Sequence, residues 1–287
     1  MTKGREWILR TRTVSDTPLA RVHEHRLRSP GERARKEIRW SKLDRTRYPA
    51  AALALAARAQ LDLAAGEYEA FIGFSQVSSA LALVGAPFDL VAESARVATD
   101  EIRHAEYALR MAALLRGCDV SQLQIPVARP RLQKLGARRW SLDSVDCLMV
   151  AVPAISETIS AALIAARRDQ AEDPLVRDVL SSILADEIHH ARFGWYYLMW
   201  RSPQWTRAQR QRVADRAGSL VASTEHTFWR GREAPAGSRR AARALGVLDS
   251  VAQRAVIRSV MEEEIVPALD ALGLGASHAW RARRRGQ

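Results

Sequence analysis

At 287 residues, 47% of them hydrophobic and 26% charged, the chain can bury a sizeable core and reads as one large domain or a domain with appendages. No apolar run approaches a membrane span and no signal-type core follows residues 1–5; Cys118 and Cys147 alone exclude a disulfide framework, so a cytoplasmic protein is expected. The net charge of +12 sits at the ends, with 14 Lys/Arg against 6 Asp/Glu in residues 1–47 and four Arg without an acid in 276–287; no recognised motif accompanies it, so nucleic acid is not an expected partner.

Residues 1–47 form a basic N-terminal extension, with turn material at Ser29-Pro30-Gly31 and a short helix expected at 32–42. Pro49 opens a long Ala/Leu-rich helix, a place where its fixed φ and missing N–H do no harm. That helix passes Glu67 and stops at Gly85-Ala86-Pro87. The second starts near Pro87, carries Glu101 and His104, and ends at Gly117. Between Cys118 and Trp140, Pro126 and Pro130 break any helical period, so this stretch is a long crossover, and Ser141 is the candidate cap of the third helix. The third helix carries Glu157 and fades near Asp169. Asp173-Pro174 caps and opens the fourth, which bears Glu187 and His190 and ends at Ser202-Pro203. The expected architecture is all-α: a four-helix bundle over 48–201 made of two antiparallel hairpins joined by the crossover. Residues 202–287 add helices at 206–230 and 250–272, separated by the Gly/Pro-containing stretch 231–246, and then a basic tail. They cover or extend the bundle or make a subunit contact. Glu262-Glu263-Glu264 reads as a solvated face, and the adjacent Glu225 and His226 diverge on a helix.

Asp100-Glu101-Ile102-Arg103-His104 is echoed by Asp186-Glu187-Ile188-His189-His190. A Glu and a His three residues apart share one helix face, one turn apart. Two such pairs, with one further Glu from each of two other helices, are the ligand set of a carboxylate-bridged di-metal site in a bundle. Glu67 and Glu157 supply the further carboxylates. Glu67 lies 18 residues before Gly85 and Glu101 16 after it, about 27 and 24 Å of helix rise. Glu157 and Glu187 each lie 15 residues from Glu172, about 23 Å. Both hairpins therefore bring their carboxylates to one height. Phe71 and Phe74 continue the face of Glu67, whereas Glu69 is turned about 200° away. Four inward carboxylates in an apolar bundle need cations to balance them. Metal-bound His usually passes its other N–H to a carboxylate, which assigns Asp100 to His190 and Asp186 to His104, with surface salt bridging as the competing account. Arg103 is placed to pair with these aspartates, and His189 points away. Pro153, one turn before Glu157, should disturb its helix and open room beside the metals. Phe71, Phe74, Ala105, Ser160, Ala161 and Ile164 are the candidate walls of a substrate pocket.

Glu67, Glu101-x-x-His104, Glu157 and Glu187-x-x-His190 resemble the bacterial ferritin-like di-iron carboxylate family, and the D-E-x-R-H form of residues 100–104 is similar to the motif of bacterial multicomponent monooxygenases. Residues 85–91 and 245–249 also resemble segments of bacterial ferritin-like-domain proteins. The likeness covers about 50–201, with a fainter trace in 240–272. It implies two iron ions, with Mn/Fe equally compatible with these ligands, and O₂ chemistry on a small organic substrate: hydroxylation, desaturation or N-oxygenation. Iron oxidation, or hydroxylation of RNA held by the basic ends, are the alternatives. An external electron donor of ferredoxin or reductase type is expected, since no flavin or nicotinamide fingerprint is present, and a homodimer is open. Arylamine N-oxygenases of this superfamily carry an extra His where this chain has Ile183, so that subgroup is not implied.

Overall fold

The computed structural model describes residues 38–40, 43–124, 140–228 and 233–283, and every regular element among them is helical. Most of the basic extension, including Ser29-Pro30-Gly31, lies outside these residues. So do Pro126 and Pro130. The described part of the helix expected at 32–42, residues 38–40, contains no α-helix.

Helix α1 is Ala50–Leu83, following Pro49, and α2 is Phe88–Arg116, ending at Gly117. Gly85 turns the chain between them at φ +67, a left-handed conformation that costs glycine little, and Ala86 N–H closes the turn on Leu81 O at 2.9 Å. Helix α3 is Leu142–Gln170, with Ser141 as its cap and a π segment at Val150–Ser156. Helix α4 is Pro174–Arg201, where the Asp173 carboxylate accepts from Leu175 N–H (3.0 Å) and Val176 N–H (3.2 Å).

The hairpins are inverted relative to each other. The Tyr48 hydroxyl, just before α1, donates to Asp173 Oδ2 at 2.8 Å, and Arg45 Nη2 donates to Arg116 O at 3.2 Å. The start of α1, the end of α2 and the α3–α4 turn therefore share one end of the bundle, and the Gly85 turn lies at the other. Gly117 and Ser141 must sit a helix length apart, about 43 Å for the 29 residues of α2, which is why the connection between them is long.

Beyond the bundle come α5 (Arg207–Phe228), α6 (Arg239–Ala244), α7 (Ser250–Val260, a π segment Met261–Ile265, then Val266–Ala271) and α8 (Ala276–Ala282). Two of these correct the sequence reading. Helix α6 lies inside the stretch read as a separator, and α8 begins the stretch read as a basic tail. A short helix has too few turns to show a period, and α8 is held by burial: Ala276 and Trp280 are enclosed by α5 and α7, and Ser277 N–H donates to Asp270 Oδ1 at 3.1 Å. Glu262, Glu263 and Glu264 are exposed, as expected of a solvated face.

A third correction concerns α3. By length and composition it could cross a bilayer, with a window of mean hydropathy 1.9, contrary to the expectation that no run is apolar enough. The reason is enclosure on several sides: α4, α1, α5 and α7 all pack on it, and 56% of that window is buried inside the protein. The arrangement is consistent with a soluble protein and is only weak support for a membrane span.

Two apolar clusters fill the bundle, one around Phe74, Leu81, Met149 and Tyr197 towards the Gly85 turn, the other around Ala57, Leu115, Leu180 and Ile183 towards the opposite end. Between them, near the middle of every bundle helix, lies the polar layer described next.

Candidate metal centre

Glu67, Glu101, Glu157 and Glu187 sit at or beside the midpoints of α1, α2, α3 and α4, and His104 and His190 follow one turn after their glutamates. All six residues are at most 4% exposed. Ligand atoms of Glu101, His104, Glu187 and His190 lie within 4.8 Å of one another.

The two imidazoles are stacked, with ring centroids 5.6 Å apart, and both turn Nδ1 inward. His104 Nδ1 faces Glu187 Oε1 at 3.1 Å, Glu101 Oε2 at 3.5 Å and Glu67 Oε2 at 3.7 Å. His190 Nδ1 faces Glu101 Oε1 at 2.9 Å, Glu187 Oε1 at 3.7 Å and Glu157 Oε2 at 4.0 Å. Glu101 and Glu187 are thus common to both halves, while Glu67 belongs to the His104 side and Glu157 to the His190 side. On the outside, His104 Nε2 meets Asp186 Oδ2 at 3.1 Å and His190 Nε2 meets Asp100 Oδ2 at 3.4 Å. Arg103 donates to both aspartates, at 3.0 Å to Asp186. His189 is exposed.

Whether these residues suit metal can be judged from their unused atoms. Both oxygens of Glu101 and of Glu187, one oxygen of Glu67 and Nδ1 of each histidine are buried without a hydrogen-bond partner. The close approaches among them lack hydrogen-bond geometry. Buried polar atoms are rarely left so, and this many converging on one point are what cations would satisfy. Carboxylate oxygens with imidazole nitrogens are donors that divalent first-row ions accept. The cluster is therefore of the kind typical of a di-iron site and could hold a di-metal centre.

The electrostatics agree. Burial pushes the Glu67 and Glu157 carboxyls well above the usual range, and neighbouring carboxylates push the same way. For Glu101 burial acts upward too, but His190 and His104 outweigh it and hold the group low. Burial opposes charge on both imidazoles, yet the surrounding carboxylates prevail, raising His104 well above its ordinary value and His190 to about 10. Asp100 is held at about 2, where His190 and Arg103 overcome the cost of burial. Left to themselves, Glu67, Glu157 and the two imidazoles retain protons; a bound cation would displace them.

Helix α3 is locally unusual where it delivers Glu157. Pro153 has no N–H to give the preceding turn, and the helix widens to a π segment that ends at Ser156, with Glu157 N–H bonded to Val152 O. Opposite it, α4 presents Gly194. A Cβ there would lie 2.3 Å from Pro153 C and 2.4 Å from Ala154 N, so only glycine lets the two backbones approach.

A cavity of about 440 Å³ opens between α1 and α3, closed by Thr227 and Phe228 of α5 and by Val247, Leu248 and Gln253. Glu67 and Glu157 form part of its wall. Of the six expected wall residues, Ser160 and Ile164 line it, and Phe71, Phe74, Ala105 and Ala161 do not. Phe74 is fully buried against His190, ring centroids 6.0 Å apart; Phe71 packs on the same apolar cluster, Ala105 is enclosed on α2, and Ala161 is turned about 100° from Ser160. The stripe that borders the cavity instead runs through Leu63 and Ala70, at helical spacing from Glu67, with Gly66 beside them. The spacing was available in the sequence, but it did not distinguish this face from that of Phe71 and Phe74. Nothing in the sequence marked Phe228, and residues 245–249 stood out only by resemblance, not as part of a site.

No protein-family model, curated protein or solved structure matches this chain.

Proposed function

We propose that this chain is a ferritin-like di-iron protein, an O₂-activating oxygenase or oxidase that hydroxylates, desaturates or N-oxygenates a small organic substrate. The observation that carries this reading is the two-sided cluster: two inward Nδ1 atoms, two shared carboxylates, and one further carboxylate on each side from residues that border a common cavity. Glu67 and His104 would hold one ion, Glu157 and His190 the other, with Glu101 and Glu187 between them. Bound iron supplies the redox chemistry.

The protein's own share is physical. Asp186 and Asp100 accept the Nε2 protons, which directs the lone pairs of both Nδ1 atoms inward, and Arg103 balances the aspartates. The apolar clusters above and below exclude water. The cavity orients substrate against the Glu67–Glu157 side. For an oxygenation, one oxygen atom of O₂ enters the substrate and the other leaves as water, consuming two electrons from an external donor of ferredoxin or reductase type and two protons from solvent. A cytoplasmic location belongs to the same reading.

Anaerobic loading with ferrous iron, followed by mixing with O₂ under rapid-scan absorption, tests it. Two irons bound per chain and a transient visible band support an oxygen-activating enzyme. Slow, featureless oxidation of many irons per chain favours iron handling, and failure to bind iron refutes the proposal.

A further inference from the structure

The cavity contains a cation that the metal cluster does not use. Arg167 lies on α3, ten residues after Glu157, and lines the cavity together with apolar side chains such as Leu63, Leu163 and Phe228. Its Nε donates to Gly246 O at 3.1 Å, which fixes the guanidinium against the 245–249 turn. Its Nη2 is buried without a hydrogen-bond partner, and no carboxylate among the described residues forms an ion pair with it. The acids nearby are otherwise engaged: Asp62 pairs with Arg58 at 3.2 Å, Glu69 is exposed, and Glu67 and Glu157 face the cluster. Burial draws the guanidinium down to about 10 despite the pull of Glu67 and Asp62, so its surroundings do not compensate its charge.

We propose that Arg167 receives the carboxylate of the substrate, which is a small apolar carboxylic acid lying along α3 with its far end at Glu67 and Glu157. A planar guanidinium with unused donors matches a carboxylate in two parallel hydrogen bonds. An anion there supplies the partner that a buried charge requires. Ten residues of helix separate Arg167 from Glu157 by about 15 Å, and the arginine side chain leans back toward the helix N-terminus by about 5 Å. The remaining span of about 10 Å suits an acid of about eight carbons, and the cavity volume accommodates one. The placement of the far end rests on the di-iron reading; the role of Arg167 in binding does not.

The test uses the iron-loaded full chain and three probes of equal length: octanoate, octanamide and octylamine, titrated by calorimetry. Octanoate should bind at least about tenfold tighter than octanamide, and Arg167→Gln should abolish that preference while leaving octanamide binding and the melting temperature near wild type. Arg167→Lys should restore part of it. Equal or tighter binding of octanamide or octylamine to the wild-type chain overturns the proposal, whether or not the variants fold. So does a preference that survives in Arg167→Gln. Orientation is read by proton relaxation of octanoate on the chain loaded with a paramagnetic divalent ion. The terminal methyl should relax fastest, and a faster α-methylene overturns the end-on placement. If the chain takes up no metal, the di-iron reading fails while the octanoate preference still decides the role of Arg167.

Discussion

At the scale of single residues, the most informative pair is Asp100 and Asp186. Each lies one position before a cluster glutamate, yet each serves the histidine of the other helix, across the α2–α4 contact. Such outer partners orient an imidazole and raise its basicity, and their loss typically costs about 10–100-fold in metal affinity. Asp186→Asn and Asp100→Asn are therefore expected to weaken binding of ferrous or cobaltous ion by that factor without unfolding the chain, measured by competition with a chelator of known affinity. Asp186→Asn should chiefly affect the His104 side. If both variants bind metal as tightly as wild type, the aspartates are ion-pair partners of Arg103 and nothing more. Arg103 and the six cluster residues were legible in the sequence because helical spacing of three and four is a rigid rule. Which face of α1 meets the cavity was not. Phe71 and Phe74 obey the same spacing as Leu63 and Ala70, and only packing decides which side of a helix meets a neighbour and which meets a void.

At the scale of elements, the bundle helices were readable from their ends. Pro49, Gly85, Gly117, Ser141 and Asp173-Pro174 are stop and start signals with local physical causes, and the observed helices begin and end within a residue or two of them. Short α6 and α8 were not readable, since they have too few turns to show a period and bury only Ala242, Ala244, Ala276 and Trp280. The contact between α3 and α4 is the element-scale feature that positions Glu157. Gly194→Ala inserts a methyl into the backbone of the π segment and must push the helices apart. A loss of about 1–3 kcal/mol of stability is expected, read from the urea midpoint, together with weaker metal binding on the His190 side. An unchanged midpoint would show that the close approach is not required.

At the scale of the whole molecule, folding gathers charge that could not be tolerated alone. Glu67 and Glu157 have raised pKa values in the fold, so the protonated cluster is the stable one in the absence of a cation. His104 and His190 point the same way: their contribution is fully present below the unfolded value of 6.5 and lost as pH rises, for His190 through about 10. The sign is common to all four groups, so the melting temperature of iron-free protein should fall between about pH 5 and 10, because the unfolded chain binds fewer protons there. Iron-loaded protein should resist this fall, and apparent metal affinity should rise with pH as protons are displaced. Thermal melts of both forms across that range check the prediction, and parallel pH profiles would refute it.

The amino-acid sequence by itself determined the helical class, the two hairpins with their long connection, and which carboxylates and imidazoles could stand at one height. Those follow from rise per residue, capping and face periodicity, all of them local. Only the tertiary structure decided that the apolar third helix is enclosed by its neighbours, that part of the basic tail folds back as a helix, and that the cavity opens beside Leu63 and Arg167. These depend on which surfaces meet across long stretches of chain, and burial on that scale overrides every local preference.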